Sequence, residues 1–574
     1  MNLEQWAFAP VGLPLLGAAF ALCGKAFFKG RKATAAQYLG SAIGLFLPLL
    51  ALAVLWDPVF QGTAIEGTVG SWKAGIAIRY RFDSLSWLLD LLSFTVGIAA
   101  WVYQRGADSK NGSFTTILLI QLASLAATMM TYDIFNLFVC LEILGVTSYV
   151  LIASSPKDGA AFASFSYLMV SATAMVFFLL GTFGLYRLSG NLSYEGIAQN
   201  LGVLSPSGEL TYLVSLICII LAIAIRVAIM PLSLWLADAH SMAPHAVSAM
   251  LSGVLLKVPL FALTRILILF PKGGDAALLL AYAGSISALL GVIAALSQKD
   301  AKRLLAYHSI SQIGYVVSAW GMAISVGLEK PEGKVLMAGA LMYALYHGIF
   351  KALLFLSVGT TIDYAKERNV YKIRNASRIL QASGEKFPLT MLCFFVGVFS
   401  ITAIVPFNGY YSKTLVTYSL KGSFSYYLLT AAGVGTVASF IKLSRIFWPV
   451  RKKDAVLAQK KIQQGDIKFP KTLQLSLLFL ALLCIAGGLF APSIYGFLLQ
   501  LLKAKPKAFA FYTEANLLKM LSTSIGGLLL FLLISTKAGS NLLSGIRNLP
   551  HTFTDHFFAF AVAAATLGSW LYFV

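Results

Sequence analysis

Charge is scarce in this sequence. Of 574 residues, 12% are Asp, Glu, Lys or Arg, against the roughly 25% of an ordinary soluble domain. Acids are the scarcer sign: 23 against 44 Lys and Arg, for a net charge of +21. With 58% hydrophobic residues, the balance excludes a soluble enzyme, a disordered chain and a nucleic-acid-binding domain. Cysteine is sparse as well. Cys23, Cys140, Cys218, Cys393 and Cys484 lie in or beside apolar stretches, and none is in a CxxC pair. A disulfide framework or an iron–sulfur site is therefore not expected. The first apolar stretch, residues 8–23, lacks the basic leader of a signal peptide.

Long apolar runs are abundant. Residues 161–186 and 276–297 carry no charge, and each reaches the ~20 residues of a spanning helix. In hydrocarbon the backbone must satisfy its own hydrogen bonds, so such runs are helices. They are about twice the length of a tilted barrel strand and do not alternate. About sixteen crossings are expected, centred near residues 16, 46, 92, 122, 144, 174, 220, 258, 287, 315, 348, 396, 437, 482, 528 and 563. Residues 57–82, with Gly67, Gly70, Gly75 and the alternating run Ile76-Ala77-Ile78-Arg79-Tyr80, are expected to form an extracytoplasmic hairpin. Residues 490–519 read as an interfacial helix before two further terminal spans. No stretch is large enough for a soluble cofactor domain.

Basic residues cluster between spans: Lys25, Lys29, Arg31 and Lys32; Lys299, Lys302 and Arg303; six in 363–386; seven in 450–471. If helices alternate, all four clusters share one side, which the positive-inside rule makes cytoplasmic, with the N-terminus outside. Such clusters also suit anionic lipid or acidic partner subunits. Pro231 and, roughly 175 residues later, Pro406 with Asn408-Gly409 interrupt two spans, since proline removes a backbone bond and crowds the preceding turn. Paired broken helices point to an internally repeated transporter. Two ordinary kinks are the plainer alternative.

Ionisable residues inside apolar spans are expensive and mark function. Glu142 stands alone in an uncharged span, Arg226 precedes Pro231 by five residues, and Lys257 sits in apolar sequence. His347 and Lys351 are four apart, on one helix face. Lys413 follows the second break and Lys442 ends the thirteenth span. One acid and a row of bases thus run through the chain, a pattern suited to passing protons through bridging waters. The competing readings are snorkelling side chains and static ion pairs. Asp238, His240 and His245 fall within eight residues at a helix-end loop. They and His308, near another inner helix end, are candidates for proton uptake or for loop contacts. A metal site there lacks a fourth ligand.

The stretches around these residues resemble one family: the antiporter-like membrane subunits of respiratory complex I, Mrp-type sodium/proton antiporters and membrane-bound hydrogenases. The matching segments are Phe138–Leu144, Pro231–His240, Val247-Ser248-Ala249-Met250 to Lys257, Lys302–Ser309, His347 to Gly359, and Pro406–Lys413, in the family's order and within residues 80–450. The resemblance implies an all-α polytopic membrane protein. It would have about 14 core transmembrane helices in two inverted five-helix repeats, with helices 7 and 12 broken, plus about two extra C-terminal helices. The implied division is residues 1–112, 113–270, 271–450 and 451–574. It also implies a proton path through Glu142 on the fifth helix, Arg226, Lys257 on the eighth, His347 and Lys351 on the eleventh, and Lys413 on the twelfth. Arg226 departs from the pattern, which usually has lysine there. Arginine cannot release its proton in a protein, so a firm Glu142–Arg226 pair that tunes Lys257 is expected instead. A similar arginine in some hydrogenase-linked relatives points to that branch.

The leading expectation is a proton-translocating, or proton/sodium-exchanging, subunit of a multi-subunit complex in the plasma membrane, with no cofactor of its own. Its partners would be other membrane subunits and peripheral redox subunits carrying iron–sulfur or nickel–iron sites. The alternatives are a membrane anchor with a degenerate channel, an accessory subunit of inorganic-carbon uptake, and, least favoured, a stand-alone metabolite carrier.

Overall fold

A computed structural model describes residues 3–69, 78–107, 112–201, 205–449, 469–505, 508–549 and 553–574. Fifteen helices among them are long and apolar enough to cross a membrane. A sixteenth crossing is made of two short pieces, Leu389–Ile401 and Asn408–Ser419. All sixteen expected centres fall within helices. The chain is a predominantly helical, multi-pass membrane protein with one short strand pair.

Local chemistry explains where the spans begin. The fifth (Ile134–Ala153) is capped by Asp133, whose carboxylate accepts the Asn136 N–H at 2.7 Å. The tenth (Ala301–Val326) is capped in the same way by Asp300, which accepts from the Arg303 N–H at 2.9 Å. Each cap satisfies a donor that the first helical turn would leave orphaned.

The seventh span runs Pro206–Val227, breaks, and resumes as Leu234–Met242. At the break Ala228 turns left-handed at φ 59°, and the Ile229 N–H reaches back to the Ala224 carbonyl. The twelfth span does the same: Ala403 is at φ 61° and the Ile404 N–H bonds the Phe399 carbonyl. Both are left-handed helix stops of the Schellman kind, made here without glycine. Each is followed three residues on by its proline, Pro231 or Pro406.

The hairpin is present. Strands β1 (Ile65–Val69) and β2 (Ile78–Phe82) pair antiparallel, Ile65 opposite Phe82. Gly70, Gly75, Ile76 and Ala77 of that expectation lie outside the described residues, as do Arg451 to Lys468 of the last basic cluster. The interfacial helix expected over 490–519 is shorter: helix covers Ala491–Leu501, and the next helix starts at Glu514. Lys503, at φ 51°, ends it, and the Lys505-Pro506 sequence disfavours its continuation. The helix docks through Phe497, stacked on Trp56 at 5.1 Å.

The basic clusters around Lys302 and Arg368 meet on one face. Lys302 Nζ donates to the Ala243 carbonyl at 2.6 Å, Arg368 pairs with Asp300 at 2.7 Å, and Lys442 Nζ donates to the Gln298 carbonyl at 2.5 Å. Lys25 Nζ, of the first cluster, donates to Ser113 Oγ.

Candidate functional site

The eighth span (His245–Leu267) is buried throughout its apolar window. Pro259 lacks the N–H that an α-helix would give to Leu255, and the turn before it, Leu251–Leu255, widens to a π-helix. Such single π turns inside α-helices often mark functional sites. Within that turn the Ser252 carbonyl accepts from Lys257 Nζ.

Ser252 continues the contact outward. Its hydroxyl lies 2.7 Å from that of Ser309 on the tenth span. Ser309 Oγ donates to the Leu305 carbonyl at 3.2 Å, and Lys351 Nζ on the eleventh span donates to the same carbonyl at 2.5 Å. Buried polar groups of Ser252, Ser309 and Leu305 thus lie between Lys257 and Lys351 across three helices. The sequence pattern singles out neither hydroxyl: Ser252 and Ser309 are two among several serines in their apolar spans.

His347, one turn before Lys351, is fully buried, and neither ring nitrogen has a hydrogen-bond partner among the described residues. Lys413 Nζ takes the Ile401 carbonyl at 3.1 Å and stands 4.9 Å from the centre of the Tyr315 ring. That carbonyl belongs to the last residue before the break, where a helix end leaves acceptors unsatisfied. The second break thus creates the acceptor that holds its own lysine.

Arg226 Nη2 meets Glu142 Oε1 at 3.2 Å, as expected. The two ends of the pair differ in depth: the arginine side chain is 2% exposed and the glutamate 36%. Glu142 therefore opens onto the flank of the bundle. Gly145, one turn along from Glu142, makes room: a Cβ there would lie 2.9 Å from Arg226 Nη1.

The loop residues do not assemble into one cluster. Asp238 is exposed and pairs with Arg303 at 3.1 Å. His240 stacks on Phe355 at 4.8 Å, and His308 packs on Phe440. His245 Nε2 meets Asp363 Oδ1 at 3.0 Å, in a fit so close that a Cβ on Gly359 would strike the imidazole. Among the described residues no group of three or more His, Cys, Asp or Glu is arranged to hold a metal ion. Lys157, in the loop after the fifth span, is held below the usual lysine range, first by burial and then by the charge of Arg368.

The expectation of a single intramembrane acid needs correction. Asp90 in the third span (Ser84–Ala107) is buried too, and its Oδ2 has no hydrogen-bond partner among the described residues. It lies seven residues after Asp83, two turns along one helix face, and Asp83 pairs with buried Arg265 at 2.9 Å. That spacing is legible in Asp83-Ser84-Leu85-Ser86-Trp87-Leu88-Leu89-Asp90, but the burial is not.

Residues 131–442, more than half of the chain, match the family described as NADH:quinone oxidoreductase/Mrp antiporter, TM. The chain belongs to this family. Among relatives, a Na(+)/H(+) antiporter subunit of Alkalihalophilus pseudofirmus is 27% identical over 472 residues, 80% of this chain and 89% of that one. An NADH-quinone oxidoreductase subunit of Desulforudis audaxviator is 29% identical over 481 residues, 80% and 92% of the two chains. Hydrogenase-4 component B of Escherichia coli is 28% identical over 440 residues, 72% and 62%. The fold is shared with a chain of the archaeal membrane-bound sulfane sulfur reductase complex, at TM-score 0.73 and 22% identity over 91% of this chain and 99% of that one. It is shared equally with a chain of the Mrp complex from Dietzia sp., at TM-score 0.72 and 21% identity over 96% and 100%. These relatives are named as subunits or components, and both solved structures are multi-subunit membrane complexes.

Proposed function

We propose that this member of the antiporter family is an ion-translocating subunit of a multi-subunit membrane complex, moving protons or exchanging protons for sodium. The observation that carries the reading is the buried series Lys257–Ser252–Ser309–Leu305–Lys351. The two buried amines are each held by a backbone carbonyl with the Ser252 and Ser309 hydroxyls between them, so that water bridging these polar groups would carry a proton from one amine to the other, and moving one charge changes the other's affinity. His347 and Lys413 extend the series toward the second break. His240, His245 and His308 lie on its basic-face side, where protons would be taken up, while Asp238, held by Arg303, serves as a loop contact.

The fifth-to-seventh-span region takes a different part in this reading. The fixed Arg226 charge holds Glu142, whose exposed side faces a neighbouring subunit and reports that neighbour's charge state to Lys257. We place the basic face in the cytoplasm and the N-terminus outside a plasma membrane, and read residues 113–270 and 271–450 as two inverted repeats, with residues 1–112 before them and 451–574 after. The matching backbone at Ala228 and Ala403 supports the repeat. Redox chemistry, where the complex has it, belongs to partner subunits carrying iron–sulfur or nickel–iron centres. A second reading, an anchor with a degenerate channel, is favoured by Arg226 alone.

The test is ion pumping by the intact complex in vesicles, with Lys257→Ala beside the unmodified protein. Pumping should vanish while assembly and partner activity persist. Unchanged pumping leaves the anchor.

A further inference from the structure

On the basic face a pocket of about 110 Å³ opens between the ends of the ninth and thirteenth spans and the helix Lys537–Arg547. Four basic side chains line it: Lys299, Lys442, Arg445 and Arg547. None is within ion-pair distance of an acid among the described residues. Their existing contacts only position them. Lys442 Nζ donates to the Leu296 and Gln298 carbonyls, and Arg547 Nη1 to that of Ser297. Arg445 sits over the Tyr371 ring, and its Nε is buried without a hydrogen-bond partner. Ser535 and Ser540 add hydroxyls at the rim.

The opposite wall is apolar: Phe531, Ile534 and Leu543. Helix Lys537–Arg547 connects the fifteenth span, which ends at Ile534, to the sixteenth, which starts at Phe553. It therefore lies at the bilayer surface, with Leu542 69% exposed beside the buried Leu543. A cationic floor that runs into an apolar wall at this depth matches an amphiphile: a phosphate for the cations and an acyl chain for Phe531 and Leu543. Basic pockets of this kind between spans recognise anionic headgroups.

We propose that this pocket binds an anionic phospholipid through its phosphate. The occupied pocket neutralises unopposed charge and clamps the two C-terminal spans to the thirteenth.

The test is native mass spectrometry of the full complex titrated with phosphatidylglycerol, phosphatidylcholine and inorganic phosphate. Phosphatidylglycerol should bind in preference to phosphatidylcholine. Lys299→Gln and Arg547→Gln should each weaken it roughly fivefold, and Lys537→Gln, outside the pocket, should not. Lys299 is exposed, so its substitution leaves the fold intact even if Arg547→Gln does not. Inorganic phosphate binding as tightly as the lipid would make this a free-anion site and overturn the proposal. So would equal loss with Lys537→Gln, which marks diffuse surface charge, or no lipid uptake by the assembled complex, which marks a pocket filled by a partner's acidic segment.

Discussion

At the first break the chain turns left-handed at Ala228, two residues after Arg226, and ten residues later presents Asp238. At the second it turns left-handed at Ala403, two residues after Ile401, and ten residues later presents Lys413. The backbone bonds match: Ile229 to Ala224 in one, Ile404 to Phe399 in the other. The chemistry does not. At the first break a permanent cation pairs with an acid on the flank, and the later position is an exposed aspartate pairing with Arg303. At the second a buried lysine leans on the break's own free carbonyl. A broken helix supplies acceptors and room. The residues hung on it decide whether it holds a charge in place or passes one on.

The sharpest way to break this comparison is to swap its matched positions. Lys413→Ala removes the amine at the second break, and pumping should fall by more than an order of magnitude with assembly retained. Asp238→Asn, at the matching position of the first break, loses only an exposed ion pair of the kind worth about 1 kcal/mol or less, so pumping should stay near the unmodified rate. Equal losses would mean that both breaks conduct.

Arg226 comes next. If it acts as a fixed charge, Arg226→Lys should keep most of the pumping and Arg226→Gln should lose it, because only Gln leaves Glu142 unpaired. The destabilisation by Gln should stay below the roughly 3–5 kcal/mol of a fully buried broken pair, since Glu142 is partly exposed. Thermal unfolding of both variants separates that loss from the loss of transport. Identical pumping in both would show the pair to be structural.

Ser309→Ala tests the joint between Lys257 and Lys351. It deletes one hydroxyl in the middle of the series and leaves both amines. A hydrogen bond of this kind is worth about 1 kcal/mol net, hence a slowing of roughly threefold to tenfold, while Ser311→Ala on the same helix, bonded to the Ala288 carbonyl, should leave the rate alone.

The sequence carries the spans, both breaks and the Glu142–Arg226 pair, because each depends on length, proline or an isolated charge in apolar surroundings. It does not carry the serine bridge. Ser252 and Ser309 meet across two helices at the π turn before Pro259, a contact set by packing, and serine is common enough in spans to give no signal alone. Asp90 escapes for another reason: it follows Asp83 near a span end, where an acid attracts little notice, and only burial sets it apart. The helix expected through residue 519 fails at Lys503, where a left-handed turn and the following proline outweigh the apolar pattern.

The smallest effect concerns Lys157, at the basic-face end of the helix that bears Glu142. Its ammonium is held below the usual lysine range by burial and by Arg368, so folding favours its neutral form. For a base with a lowered folded value, the destabilisation is complete below that value and disappears as pH rises through the ordinary lysine range near 10.4. Lys157→Met should therefore raise Tm modestly at pH 7, and the gain should shrink toward zero by about pH 10. Pumping measured on the same samples sharpens the comparison between the two regions. An unchanged rate keeps the first region a place of fixed charges. A reduced rate would show that it contains a proton-exchanging base after all, and Arg226 would then be an exception within a working path.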